Sequence, residues 1–164
     1  FPGGPRVETL AQYWIDANPD SRLSDYELPY AVQGMDLAFS GLLTAARHMV
    51  LKGKPLGAVC WSVQEHAFAA CVEVAERALA HTGKTEVLLG GGVACNQRLR
   101  DMCSMMAGER SAQSFVPEKM YCVDNGSMIA ILGRLQLLYG GDTELRQSAI
   151  NQHLRTNETP ILWS

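Results

Sequence analysis

The chain has 164 residues, 47% hydrophobic and 19% charged, with a formal net charge of −3. So much apolar material excludes a disordered polyelectrolyte, and a slightly acidic chain without a dense basic run is not built to capture nucleic acid by bulk charge. The quietest long stretch, Leu56–Ala80, still carries Gln64, Glu65, His66, Glu73, Glu76 and Arg77, so the reading is a soluble globular piece with no membrane span.

In chain order, residues 1–55 read as a loop-rich lead-in punctuated by Pro5, Pro19, Pro29 and Pro55. The opening Phe1-Pro2-Gly3-Gly4-Pro5, without methionine or leader, reads as a fragment cut within a loop. A short helix is expected at Val7–Asn18 on the spacing of Leu10, Tyr13 and Trp14, and another around Leu42–Leu51. Between them, Tyr30–Phe39 suggests strands meeting at a turn on Gly34. Residues 56–142 form the sharper core. Trp61, Gln64, Phe68, Cys71, Val72, Ala75 and Leu79 recur at helical steps and predict a long helix ending near Gly83. A strand is expected at Glu86–Leu89, then Gly90-Gly91-Gly92. Asn96 is placed to cap a helix with Leu99, Met102, Cys103 and Met106 on one face and Gly108 at its end. A second strand at Ser114–Val116 is closed by Pro117. A third helix begins at Asp124-Asn125, carries Met128, Ile131, Leu132, Leu135 and Leu138, and stops at Gly140-Gly141; residues 143–164 form a tail. Two strand–turn–helix units in succession predict an α/β fold with a partly parallel sheet.

The cysteines are Cys60, Cys71, Cys95, Cys103 and Cys122, an odd count with no Cys-x-x-Cys pair. They read as reduced thiols of a cytosolic or nuclear compartment rather than a disulfide frame or zinc knuckle. His48, His66, His81 and His153 show no paired spacing, and His66 reads as a hydrogen-bonded packing residue.

Two motifs carry the chemistry. Leu88–Asn96 (LLGGGVACN) runs a strand through glycines into a helix. Backbone N–H groups and the positive helix end gather there, and glycine lets a phosphate approach. Either the turn binds a nucleotide, or the glycines only make a tight turn and Asn96 only caps. Cys122–Ala130 (CVDNGSMIA) sets Asp124 before a helix. Its carboxylate either faces a cleft as a metal or phosphate-cation ligand, or closes a local Asx turn. The two motifs stand at equivalent positions of consecutive strand–turn–helix units, at the carboxyl ends of strands where open α/β sheets bind ligands, so the pair is expected to converge on one crevice. Gly4 to Glu8 is a weaker candidate: a glycine loop into a helix with a first-turn carboxylate, which also suits the helix dipole alone. Ser40, in GMDLAFSG, lacks the Gly-x-Ser-x-Gly frame of a nucleophile and reads as a structural turn.

Taken together, Gly91-Gly92-Val93-Ala94-Cys95-Asn96-Gln97-Arg98-Leu99 and Cys122-Val123-Asp124-Asn125-Gly126-Ser127-Met128-Ile129-Ala130 resemble the Kae/TsaD/OSGEP family, tRNA threonylcarbamoyladenosine synthases formerly described as O-sialoglycoprotein endopeptidases. Pro2-Gly3-Gly4-Pro5, Leu28-Pro29-Tyr30, Gly34-Met35-Asp36, Phe39-Ser40-Gly41-Leu42 and the ending Arg155-Thr156-Asn157-Glu158…Trp163 follow in the same order. The resemblance implies an actin-like ATPase (ASKHA, Hsp70/sugar-kinase type) fold of two lobes, this chain being the C-terminal lobe with a mixed sheet flanked by helices. It also implies transfer of threonylcarbamoyl from threonylcarbamoyl-adenylate to the exocyclic amine of the adenosine beside the anticodon in tRNA. Carried over by residue, Asn96, Gly4, Glu8, Gly91 and Gly92 would contact the adenylate. Asp124 would be one ligand of a single divalent ion, whether iron, zinc or magnesium. The other metal ligands, a His-x-x-x-His pair and a tyrosine, belong to the family's first lobe. Ser127 stands where the family usually has Ala. The partners implied are tRNA and a KEOPS-type assembly including a small protein kinase; the compartment is read as the cytoplasm, with the nucleus as a second location. Other readings are a non-catalytic nucleotide-binding module that docks on such partners, and a small-molecule kinase of the same superfamily. A metalloprotease is disfavoured, since nothing supplies a zinc-binding helix with a general base.

Overall fold

A computed structural model describes residues 3–155 and 158–163. Phe1 and Pro2 of the opening motif and Thr156 and Asn157 of the closing one lie outside the described residues. The chain divides into two compact units, Phe1–Cys122 and Val123–Ser164.

The first unit opens with α1, Gly3–Ala17. This helix starts earlier than its apolar spacing predicts, because Pro5 sits in the first turn, where a missing N–H leaves no bond unmade. Glu8 therefore lies in the second turn, not the first, and Gly4 belongs to the helix rather than to a preceding loop. The expected strand pair is present: β1 (Val32–Gln33) and β2 (Asp36–Leu37) run antiparallel, with Val32 opposite Leu37. Gly34 turns the chain between them with φ at +66°, a conformation that side chains with a Cβ resist. Then come α2, Ser40–Leu51, and α3, Leu56–Thr82. The latter follows Pro55 and ends at Gly83 with φ of +64°, a left-handed stop.

α3 is the spine of the unit. Leu28, Ala31, Val32, Leu42, Ala46, Val59 and Ala70 form one buried cluster joining the hairpin, α2 and α3. On another side α1 comes so close that a Cβ on Gly57 would stand 3.0 Å from Trp14 Cβ and 3.1 Å from the Leu10 carbonyl. His66 is the packing residue expected: Nδ1 donates to the Ser62 carbonyl at 2.8 Å and Nε2 accepts from the Leu28 N–H at 3.3 Å. Ser62, fully buried, donates to the Tyr26 carbonyl. Together they pin the segment before β1 onto α3.

After α3, β3 (Glu86–Leu88) pairs in parallel with β4 (Gln113–Phe115), Val87 opposite Ser114. The ladder is extended by the Leu89 N–H donating to the Phe115 carbonyl at 2.9 Å. Between the strands lie a 3-10 turn, Gly92–Cys95, and α4, Gln97–Glu109. Gly108 does not end α4 as expected. It is helical, and the reversal falls at Ser111, which takes φ of +54°. A short α5, Lys119–Cys122, closes the unit. The architecture is mixed α/β, with the predicted parallel pairing present as a two-stranded ladder and the hairpin as a separate two-stranded sheet.

In the second unit α6 spans Gly126–Tyr139. Asn125, rather than Asp124, caps it, accepting from the Met128 N–H at 3.0 Å. Gly140 and Gly141 end it, Gly141 with φ of +83°. No described helix is long and apolar enough to cross a membrane.

Candidate functional site

The glycine turn is open. A Cβ on Gly90, Gly91 or Gly92 would meet no atom within 4 Å, and the same holds for Gly4 on α1. Gly91 takes φ of +85°, so its glycine is required by the backbone, whereas Gly92 carries no such requirement. The turn is held internally by the Ala94 N–H on the Gly91 carbonyl and the Asn96 N–H on the Val93 carbonyl, both at 3.0 Å. Behind it, the Arg100 guanidinium reaches back from α4, donating through Nε to the carbonyl of buried Ala94.

Asn96 is the N-cap of α4. Its Oδ1 accepts from the Leu99 N–H at 3.2 Å, while its Nδ2 donates to Gln64 Oε1 at 3.0 Å. Glu8 accepts the Gln97 N–H at 3.1 Å. Four of the five expected ligand contacts are thereby gathered at one place: Glu8 from α1, Asn96, and Gly91 and Gly92 of the turn that runs into it. Gly4 lies one helical turn before Glu8, on the same face of α1. The free N–H groups that make a helix start attractive to an anion are here partly engaged, Gln97's by a carboxylate and Leu99's by an amide. The glycine turn, more than the helix tip, is left as the approach for a phosphate.

Sequence reasoning did not single out the residues that hold this arrangement. On α3, consecutive Gln64 and Glu65 each grip the first turn of α4. Glu65 takes Arg98 in a fork, Nε to Oε1 at 2.7 Å and Nη2 to Oε2 at 2.6 Å. The hydrogen bond to Glu65 holds the Arg98 guanidinium even more firmly protonated than usual, against the opposing effect of burial. Beside this grip lies an open cleft of about 390 Å³ lined by Gln12, Ile15, Trp61, Gln64, Glu65 and Arg98. The signal for Gln64 was present in the sequence: an amide recurring in register with an otherwise apolar helical face.

Asp124 is exposed, next to the Asn125 cap in the second unit. Among the described residues no three of His, Cys, Asp and Glu come together to hold a metal ion. Asp124 supplies one carboxylate, so an ion held by it would need further donors. The five cysteines are free, and burial pushes the thiols of Cys60, Cys71 and Cys103 up, which makes them poor nucleophiles. Cys95, beside the glycine turn, directs its thiol at the Lys119 carbonyl at 3.8 Å.

Comparison with known proteins gives a consistent picture. A family model described as tRNA N6-adenosine threonylcarbamoyltransferase matches residues 1–131. A Thermococcus sibiricus protein named tRNA N6-adenosine threonylcarbamoyltransferase is 48% identical over 165 residues, covering 99% of this chain and 48% of the relative. One of the same name from Methanocella arvoryzae is 46% identical over 162 residues, covering 99% of this chain and 47% of its own length. A Methanosarcina barkeri protein named probable bifunctional tRNA threonylcarbamoyladenosine biosynthesis protein is 49% identical over 162 residues, covering 99% of this chain and 28% of the relative. The chain thus spans less than half the length of these curated relatives.

Proposed function

This chain belongs to the tRNA N6-adenosine threonylcarbamoyltransferase family, and we propose that it is the C-terminal lobe, of actin-like ATPase type, of an enzyme that transfers threonylcarbamoyl from threonylcarbamoyl-adenylate to tRNA. The adenosine beside the anticodon is the acceptor. Its exocyclic nitrogen attacks the carbamoyl carbonyl carbon, a C–N bond forms, the C–O bond to the adenylate breaks, and AMP leaves with the electron pair. The nitrogen sheds a proton.

The observation that carries this reading is the meeting of Glu8, Asn96 and the open Gly91-Gly92 turn at the start of α4. In it Glu8 and the Asn96 amide hold the polar edges of the adenylate. Gly4, Gly91 and Gly92 let it lie against the backbone. Holding the donor this way removes freedom that would otherwise oppose the reaction. Asp124 is one ligand of a divalent metal whose other donors lie beyond the described residues. The partners are tRNA and a KEOPS-type assembly with a small protein kinase, in the cytoplasm and nucleus.

The test uses the complete polypeptide, with its partner subunits, incubated with threonylcarbamoyl-adenylate and a tRNA that reads codons beginning with A. Nucleoside digestion and mass spectrometry should reveal the modified adenosine, and Asn96→Ala and Asp124→Ala should each reduce it strongly. Undiminished product in Asp124→Ala removes the metal role. Adenylate binding with no modified nucleoside from the unaltered protein would favour a non-catalytic nucleotide-binding module.

A further inference from the structure

Gln64 is the larger of two buried polar side chains among the described residues, the other being Ser62. Both lie on α3, whose remaining buried positions are apolar: Ala58, Val59, Cys60, Ala70 and Leu79. An amide buried there costs free energy unless its polar atoms are used. The use is Asn96, whose Nδ2 donates to Gln64 Oε1 at 3.0 Å.

We infer that Gln64 is a positioning residue that fixes the direction of the Asn96 amide for nucleotide binding, an inference that rests on the reading of Asn96 as an adenylate contact. The torsion that rotates a terminal amide is broad and roughly two-fold, so a cap bond alone leaves its plane loosely defined. Here two neighbours demand opposite ends of the same group. The Leu99 N–H requires an oxygen and Gln64 Oε1 requires an N–H, and only one orientation serves both. One Nδ2 proton and one Oδ1 lone pair remain for a ligand that offers an oxygen acceptor and a hydroxyl or amine donor, as a nucleoside does. Glu65, the next residue, fastens Arg98 on the following helix by its forked pair. That ties α3 to α4 at the level where Gln64 acts, so the reach of Gln64 to Asn96 is set by rigid elements.

The experiment is steady-state kinetics of the complete, partner-bound protein with threonylcarbamoyl-adenylate, alongside thermal midpoints of each variant. Gln64→Met keeps the volume and loses the acceptor; Gln64→Glu keeps an acceptor oxygen. Removing the bond should raise KM for the adenylate about tenfold in Gln64→Met with kcat nearly unchanged, and Gln64→Glu should recover most of that rise. Gln64→Met combined with Asn96→Ala should be no worse than Asn96→Ala alone, because the two act through one group. Gln64→Asn, a methylene too short to reach, should repeat the KM rise and serves if the Met variant does not fold. A normal KM in Gln64→Met or Gln64→Asn while Asn96→Ala raises it overturns the positioning role alone, as do additive effects in the double variant. A normal KM in Asn96→Ala overturns the nucleotide reading of that residue and this inference with it.

Discussion

The carboxylate of Glu8 accepts the backbone N–H of Gln97 at 3.1 Å, a bond between residues 89 positions apart in the chain. It joins the second turn of α1 to the first residue of α4, next to Asn96, which satisfies Leu99 three residues further on. A negative side chain at a helix start fills an unpaired donor and complements the helix dipole. The same carboxylate that would meet a nucleotide thus also anchors the helix that carries Asn96.

Glu8→Ala should therefore destabilise the fold by about 0.5–1 kcal/mol, the usual cost of losing a capping acceptor from a half-exposed site. Glu8→Gln, which keeps an acceptor oxygen, should lose less. Urea unfolding of the three proteins checks this, read at constant slope so that midpoints compare directly. Equal midpoints for the Ala and Gln variants would show that the Gln97 bond contributes nothing to stability.

Gly91 and Gly92 separate backbone need from ligand need. Gly91→Ala forces a Cβ onto a residue with φ of +85° and should cost about 1–2 kcal/mol whatever the ligand does. Gly92→Ala places a methyl in open space, with no atom within 4 Å, so its thermal midpoint should stay close to that of the unaltered protein. If a phosphate lies against this turn, Gly92→Ala still weakens adenylate binding. Calorimetric titration of both variants with AMP, beside their thermal midpoints, makes the comparison; unaltered AMP affinity in Gly92→Ala would mean that the turn is glycine-rich for its own geometry only.

The elements legible in the sequence were those marked by a local signal. Gly83 and Gly140-Gly141 announced helix ends, Gly34 a hairpin turn and Asn96 a cap, and each does that. The misplacements share a cause: the deciding contact or backbone preference lies outside the local pattern. Pro5 reads as loop but is at home in a first helical turn, so α1 begins at Gly3. Gly108 reads as a stop, yet α4 continues through it and turns at Ser111. Gly57 gives no sign in the sequence that α1 packs within 3.1 Å of where its Cβ would be. The site was half legible. Asn96 and the glycines are a strand–turn–helix signature, whereas the Gln64 and Glu65 grip depends on which face of α3 meets α4, a tertiary fact.

Tyr30 offers a test of the packing of the hairpin lead-in on α3 at alkaline pH. Its hydroxyl donates to Glu73 and receives an N–H from Arg77 at 3.4 Å, while Arg77 also donates to the Gly34 carbonyl at 2.7 Å. The hydrogen bond to the Glu73 carboxylate holds the Tyr30 phenol above its ordinary pKa although the side chain is largely exposed, with the negative charge of Glu73 acting the same way and Arg77 opposing. A folded-state pKa above the unfolded value of about 10 means that the contribution of this bond is fully present below that pH and disappears as pH rises through the folded value. Ultraviolet titration of tyrosinate should accordingly show an ionisation delayed above that pH, and Tyr30→Phe should remove that late step. The thermal midpoint of Tyr30→Phe should fall below that of the unaltered protein at neutral pH and converge with it at strongly alkaline pH. Persistence of the late step in Tyr30→Phe would assign it to another tyrosine and dissolve the link between the hairpin and α3 argued from Glu73.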